Sequence, residues 1–245
     1  MGVWKRVAEG VPEMMSNETK IGERFLSIYR QNEWSNGSGP GSFPQFNEAF
    51  LEYLEDLISE MAISSIVDIG CGDFQLWKGF HFRSCNYLGL DVVEQVVAEN
   101  QKFATESIKF GVMPSDLNEL PEADLYVIKD VLIHLDNAES QRLIAAAKRR
   151  SAMVLFVNNV DTVESNYNLD IEIGDFRPVD VSRSPFNLKV EHALVYGKAS
   201  QYDPRWPSPL ARLFRRRVWP GVKHVQLVRG EVRERRGDGS GAASV

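Results

Sequence analysis

The chain has 245 residues, of which 43% are hydrophobic and 25% are charged, as in an ordinary globular protein. Its apolar runs are far shorter than a membrane span, so we expect no transmembrane segment. Two cysteines are too few for a disulfide framework or a zinc site, and we therefore expect a reducing, cytoplasmic setting.

The net charge of −6 conceals a basic segment near the end of the chain. Residues 205–236 contain ten Lys or Arg and two Glu. Two interpretations remain open for this segment. It is either a solvated edge, or a patch that meets an anionic partner such as phosphate, a lipid headgroup or nucleic acid.

Two helices are predicted before the first strand. Apolar residues recur at helical spacing over residues 18–31 and again over 46–62. Between them, residues 32–43 are rich in Gly and Ser and include one Pro and one Trp. This composition is typical of a flexible tether, but glycines just ahead of a strong strand can also approach a ligand.

The rest of the chain alternates short β-rich runs with helices, including a helix over 135–150 with Asp136 and Glu139 spaced as a capping box. Such alternation predicts an α/β fold with a doubly wound, mainly parallel sheet, whose ligands bind beyond the carboxyl ends of the strands. The predicted strands are 64–70, 86–93, 108–113, 123–130, 152–160, 190–197 and 222–229.

The first strand runs into the sequence VDIGCGDF, in which Asp68 lies among apolar residues. A carboxylate there needs donors, which we expect from backbone amides or a ligand cation. Gly70 and Gly72 permit a tight turn with bare backbone against a ligand. A dinucleotide site would require a third glycine where Gln75 stands, and Asp73 would repel a diphosphate. The turn suits a nucleoside that carries an amino acid and no phosphate.

Polar residues also follow the next three strands. Asp91 ends the second strand about twenty residues beyond the glycines, where a carboxylate can accept both ribose hydroxyls. After the third strand, Asp116 could accept from an adenine amino group while Leu117 packs near the base. The fourth strand ends in Lys129 and Asp130, at the same edge of the predicted sheet.

In this order and spacing, VDIGCGDF, GLD, SDL and DLYVIKDVLIHL resemble the motifs of class I S-adenosylmethionine-dependent methyltransferases. The resemblance covers about residues 64–160. It implies a Rossmann-like methyltransferase fold with seven strands, the last pair antiparallel, and S-adenosylmethionine as the cofactor. It also implies cofactor-binding roles for the following residues: Asp68, Gly70, Cys71, Gly72, Asp91, Asp116, Leu117 and the backbone near Lys129 and Asp130.

The flanking segments narrow this resemblance. A Trp followed by SGPGS, and GDFRPVD with SPFNL after strand five, resemble bacterial methyltransferases of glycan and secondary-metabolite biosynthesis. We interpret Trp34–Ser42 as a mobile lid, with Ser42 beside the cofactor and Trp34 beside the acceptor; the tether remains the alternative. The implied domains are an N-terminal helical cap and lid (1–45), a methyltransferase domain (46–236) and a disordered tail (237–245).

For the methyl acceptor, His134 is the first candidate base and Asp130 the second. Asp130 with the NNVD sequence that ends strand five could also hold Mg²⁺, but their spacing is loose and we predict no metal. The polar segment 161–188 is longer than a simple connection and predicts a substrate-binding loop. Its candidate residues are Asn168, Asp170, Arg177 and Phe186.

These features predict methylation of a small hydroxylated acceptor on oxygen, a sugar or a related metabolite. Two alternatives remain. One is a nucleic-acid methyltransferase that uses the basic segment, although no Asn/Asp-Pro-Pro-Tyr type sequence ends strand four. The other is an inactive, methyltransferase-like scaffold. The sequence does not indicate the oligomeric state.

Overall fold

A computed structural model describes residues 17–35, 37–160, 166–197 and 222–232. The predicted disordered tail, most of the basic segment and the first five residues of the 161–188 loop lie outside these ranges. In the described part of the chain, no helix combines the length and apolar character needed to cross a membrane.

The described strands form one seven-stranded sheet in the order β3-β2-β1-β4-β5-β7-β6. The first five strands in this order are parallel, and β7 runs antiparallel to both of its neighbours. The predicted mainly parallel sheet with an antiparallel last pair is confirmed. The strands are β1 Ser65–Ile69, β2 Asn86–Asp91, β3 Ile108–Val112, β4 Ala123–Lys129, β5 Ser151–Asn159, β6 Val190–Tyr196 and β7 Lys223–Arg229.

Four α-helices accompany the sheet in the described part of the chain, together with short 3-10 turns. They are α1 Asn17–Arg30, α2 Glu48–Glu60, α3 Glu94–Asn100 and α4 Asn137–Arg150. The start of α4 matches its predicted cap, because the Asp136 carboxylate accepts from the Glu139 amide at 2.7 Å. Glu139 itself pairs with Arg142, so the reciprocal half of the capping box is not formed.

The core lies on both faces of the sheet. Side chains of α2, the β1–β2 connection and alternate strand residues form one apolar cluster, and α4 with residues 179–188 forms the other. Because helices and loops cover both faces, β5 is buried along its whole length, Ser151 to Asn159. The polar ends of β1, β2, β4 and β5 are consequently left at one edge of the sheet, where a large cavity opens.

Candidate functional site

A cavity of about 1210 Å³ lies at the carboxyl edge of the parallel strands. It is larger than the usual ~300–1,000 Å³ of a small-molecule pocket, which leaves room for two ligands side by side. Its walls come from α1, the glycine-rich segment (residues 37–42), the ends of β1, β2, β4 and β5, the start of β7 and residues 174–176.

The turn after β1 is tied closely to the end of β2. Gly70 and Gly72 have φ values of 71° and 56°, in the left-handed region that glycine adopts at little cost. The Gly72 amide donates to the Asp91 carboxylate at 3.0 Å, and the Val93 amide donates to its other oxygen at 3.0 Å. Asp91 is buried among cavity-lining residues, and burial raises the pKa of its carboxyl.

The amides of this turn are already occupied by protein acceptors. Those of Gly70 and Cys71 donate to the Leu90 carbonyl, at 2.7 and 3.1 Å. The Asp73 amide donates to Ser38 Oγ at 2.9 Å. With the Gly72 amide held by Asp91, four successive N–H groups are unavailable to a diphosphate, which needs such donors. The turn therefore favours a phosphate-free nucleoside, and the cavity-lining Cys71 adds a thiol whose pKa burial raises.

Asp68 finds different donors from those expected. Its Oδ2 accepts from the Trp77 indole and the Tyr87 hydroxyl, each at 2.7 Å, in place of backbone amides. Burial raises the pKa of Asp68 to about 7, although these two hydrogen bonds pull it down. Asp68 thus anchors two aromatic side chains of the core.

A charged cluster closes the cavity at the ends of β4 and β5. Asp130 accepts from Lys129 Nζ at 2.5 Å and also from Lys223 Nζ, which donates to Asn159 Oδ1 at 3.2 Å as well. Burial raises the pKa of Asp130, but the two ammonium groups outweigh it and lower the value to about 2. So acidic a carboxylate is a poor proton acceptor, which argues against the second candidate base.

The same cluster is unfavourable for the Mg²⁺ site considered at this edge of the sheet. Two ammonium groups stand against both Asp130 oxygens, where a divalent cation would be repelled. Within the described ranges, no group of three or more His, Cys, Asp or Glu side chains is arranged to hold a metal ion. Asp161 of the NNVD sequence lies outside those ranges.

His134 lies in the cavity wall just beyond β4, where it contacts one backbone carbonyl and two aromatic rings. Its Nδ1 lies 2.7 Å from the Asp175 carbonyl oxygen. Because a carbonyl can only accept, Nδ1 carries the proton and Nε2 the lone pair. Burial lowers the pKa of His134, so the ring is neutral at pH 7. Trp34 stacks on the ring, with centroids 4.8 Å apart, and Phe176 stands 6.1 Å away with 60% of its surface exposed.

The glycine-rich segment is bound to the cavity rather than suspended between two cores. Ser38 Oγ lies 2.9 Å from the Tyr29 hydroxyl of α1 and accepts from Asp73. The Gly41 carbonyl accepts from Lys129 Nζ at 2.8 Å and from Asn47 at 2.9 Å. Ser42 also lines the cavity and donates to the Gly39 carbonyl.

Close packing explains several glycines around this segment. A Cβ on Gly72 would lie 2.2 Å from Ser38 Oγ, and one on Gly37 would lie 2.3 Å from an Asp73 carboxylate oxygen. On Gly70 it would lie 2.4 Å from a Val131 methyl group. The segment and the β1 turn therefore require bare backbone to meet.

The structure separates the two residues predicted to hold adenine. Leu117 lines the cavity beside Val112, Met113 and Ser115. Asp116 does not line it: its carboxylate is exposed and accepts from the amide and side chain of Asn118, each at 2.9 Å. Asp116 thus caps the short turn that follows it, and its contact with adenine stays a prediction.

Four predicted substrate residues also lie away from the cavity lining. Arg177 is 2% exposed and donates to Asn137, Leu169 and Ser140, so it ties the loop to α4. The Asn168 side chain donates to the Asp180 and Ser184 carbonyls and accepts from the Asp180 amide, so it joins two parts of the loop. Asp170 accepts from the Asn137 amide, and Phe186 is buried in the core. These four residues shape the loop, and within its described part, residues 166–188, the cavity is lined by residues 174–176.

Three side chains of the cavity were not singled out from the sequence: Lys223, Tyr29 and Ser38, the last of which lies in the predicted lid. Lys223 is the first residue of an antiparallel strand, so it meets the carboxyl edge through its pairing with Asn159. Tyr29 and Ser38 lie nine residues apart but face the turn after β1. An apolar strand that opens with a lysine was the available signal for the first, and none was available for the other two.

Comparison with solved structures places this fold among methyltransferases. Magnesium protoporphyrin IX methyltransferase (ChlM) from Synechocystis PCC 6803 with bound SAH is 12% identical, with a TM-score of 0.55 over 88% of this chain and 100% of that one. N-methyltransferase NodS from Bradyrhizobium japonicum WM9 is 14% identical, with a TM-score of 0.52 over 77% and 98%. No family model and no curated protein matches the chain. At these identities the likeness establishes the Rossmann-like methyltransferase fold.

Proposed function

We propose that the protein is a methyltransferase that binds S-adenosylmethionine at the carboxyl edge of its sheet and methylates a hydroxyl group of a small acceptor. The observation that carries the proposal is the β1 turn, whose amides are occupied internally and whose Gly72 is joined to Asp91. This arrangement suits a nucleoside with an amino acid and leaves no donors for a diphosphate. The fold shared with ChlM, whose structure contains SAH, supports the same cofactor.

The cavity offers a complementary surface for each part of that cofactor. Asp91 would accept hydrogen bonds from the ribose hydroxyls. Its two oxygens accept from the Gly72 and Val93 amides and each has a further lone pair for a ligand. Apolar side chains of Val112, Met113 and Leu117 would flank the base. Gly70 to Gly72 and the backbone near Lys129 would line the methionine end. The cofactor supplies an electrophilic methyl group, and the protein must position the acceptor and exclude water.

His134 is the residue we assign to take the acceptor proton. Its Nδ1–H is fixed on the Asp175 carbonyl and its lowered pKa keeps Nε2 unprotonated near neutral pH. Trp34 holds the ring in place by stacking. The exposed face of Phe176 and the edge of Trp34 suit an acceptor with a flat ring or an apolar sugar face, such as a sugar or a sugar-linked or phenolic metabolite.

The test is transfer of a labelled methyl group from S-adenosylmethionine to a panel of nucleotide sugars, glycolipid fragments and phenolic metabolites. On an acceptor that reacts, His134→Ala should lower kcat by about 10²–10⁴-fold. His81→Ala, which changes an exposed histidine outside the cavity, should leave kcat unchanged. An unaltered kcat in His134→Ala would contradict the assignment of His134 as the base. No methyl transfer to any compound of the panel would count against methyltransferase activity.

A further inference from the structure

Lys223 is a buried cation in the cavity wall that the proposed transfer reaction does not use. It is 2% exposed, and its ammonium group reaches Asp130 and Asn159 across the ends of β4 and β5. An ammonium group has three N–H donors. Within the described residues Lys223 uses two of them, as does Lys129 on Asp130 and the Gly41 carbonyl.

Among the described residues, the cluster of Lys129, Asp130 and Lys223 holds more positive than negative charge, and Asp68 is the next acid that acts on Lys129. Two ammonium groups share one carboxylate, and the charged groups that act on the Lys223 pKa are Asp130 and Lys129. Burial lowers that pKa to about 8, with Asp130 opposing the shift. Burying a net positive charge away from water costs free energy, and a bound anion lowers that cost.

The cluster lines the cavity, which is the side from which an anion would reach it. Gly41 packs closely against it, since a Cβ at that position would stand 3.1 Å from an Asp130 oxygen and 3.6 Å from Lys223 Nζ. All three cluster residues and Gly41 line the cavity. The Gly72–Asp91 contact spans the ends of β1 and β2, whereas the cluster spans β4, β5 and β7, together with His134. We call this second region the acceptor half.

We propose that Lys223, with Lys129 and Asp130, forms an anion-binding subsite in the acceptor half of the cavity, and that it takes a carboxylate or phosphate group of the methyl acceptor. The inference rests on the proposed function and adds a chemical class: an acidic, hydroxyl-bearing small molecule. It assigns acceptor binding to Lys223, whereas Arg177, one of the predicted substrate residues, is buried against α4.

The probes are inorganic phosphate and acetate, titrated by calorimetry into protein saturated with S-adenosylhomocysteine. We expect at least one anion to bind the wild type and its affinity to fall at least tenfold in Lys223→Met. Lys109→Met, at an exposed lysine on β3 outside the cavity, should bind within twofold of wild type. Should Lys223→Met fail to fold, Asn159→Asp keeps the lysine and cancels the positive charge, and the same tenfold loss is expected.

Two results would overturn the subsite. One is that neither anion binds, or that Lys223→Met and Asn159→Asp bind both as well as wild type. The other is that S-adenosylhomocysteine abolishes anion binding and itself binds Lys223→Met at least tenfold more weakly, which would assign the cluster to the carboxylate of the cofactor. A titration of S-adenosylhomocysteine alone, done before the anions are added, separates the two proposals. If S-adenosylhomocysteine does not bind, the proposed function is contradicted. If it binds but neither anion does, only the subsite is contradicted.

Discussion

Asp68 shows how strongly single buried groups are constrained around this cavity. Its carboxyl is 3% exposed and is held by Trp77 and Tyr87. Two neutral donors do not replace the hydration that an ionised carboxylate loses on burial, so the protonated form is favoured. Asp130 has the opposite balance because two ammonium groups face it. Neighbouring charges therefore decide which carboxylates of the site are ionised.

The raised pKa of Asp68 predicts a pH dependence of stability. The folded pKa of about 7 exceeds the unfolded value of about 3.9. Between these values the folded state keeps a proton that the unfolded state has lost, so this group makes the free energy of unfolding fall as pH rises from about 4 to 7. Asp68→Asn does not titrate. Its stability relative to wild type should rise by about 2–3 kcal/mol between pH 5 and pH 8 in urea unfolding. A constant difference would show that Asp68 is ionised throughout.

Arg177 tests whether the loop after β5 is structural. Arg177→Met leaves the Asn137 side chain and the Leu169 carbonyl without their donor. We expect the free energy of unfolding to fall by about 2–4 kcal/mol, as for loss of a buried hydrogen-bond network. Affinity for S-adenosylhomocysteine should stay within twofold. Arg149→Met, at an exposed position of α4, should change neither quantity. A stable Arg177→Met variant would restore the substrate-binding interpretation.

At the scale of elements, the glycine-rich segment joins α1 to both halves of the cavity. Ser38 connects it to Tyr29 on α1 and to the β1 turn, and Gly41 connects it to Lys129 at the end of β4. These contacts are polar and belong to residues that line the cavity, which is typical of a segment that can open locally. Such a segment can admit ligands and then exclude water, as we expect of the lid.

Hydrogen exchange can measure this opening. Ser38→Ala removes the acceptor of the Asp73 amide and the partner of the Tyr29 hydroxyl. Amides of residues 37–39, 41, 42 and 73 should exchange about 5–30-fold faster, which corresponds to a loss of about 1–2 kcal/mol. Ser107→Ala, at an exposed position before β3, should leave their exchange unchanged. Equal protection in the two variants would mean that the segment is held by other contacts.

At the scale of the whole molecule, the sheet was predictable because its strands are short, continuous apolar runs. Ser151–Asn159 is buried at every position, and such a run between helical patterns indicates a parallel central strand. The turn at Gly70–Gly72 and the place of Asp91 at the end of β2 were predictable because both follow directly from apolar strand runs in the sequence. Lys223 was not, because its place depends on how β7 pairs with β5, sixty-four residues earlier. The burial of Arg177 was not predictable either, because it depends on the contact of Arg177 with Ser140 of α4.

The central claim is that Asp91 and the β1 turn bind S-adenosylmethionine, and calorimetry with S-adenosylhomocysteine tests it most directly. Wild type should bind, and Asp91→Asn should bind about 5–150-fold more weakly, since removing hydrogen bonds to a charged group costs about 1–3 kcal/mol. Asp56→Asn, at an exposed position of α2, should bind like wild type. No binding by folded wild-type protein, or an Asp91→Asn variant with wild-type affinity, would contradict the account.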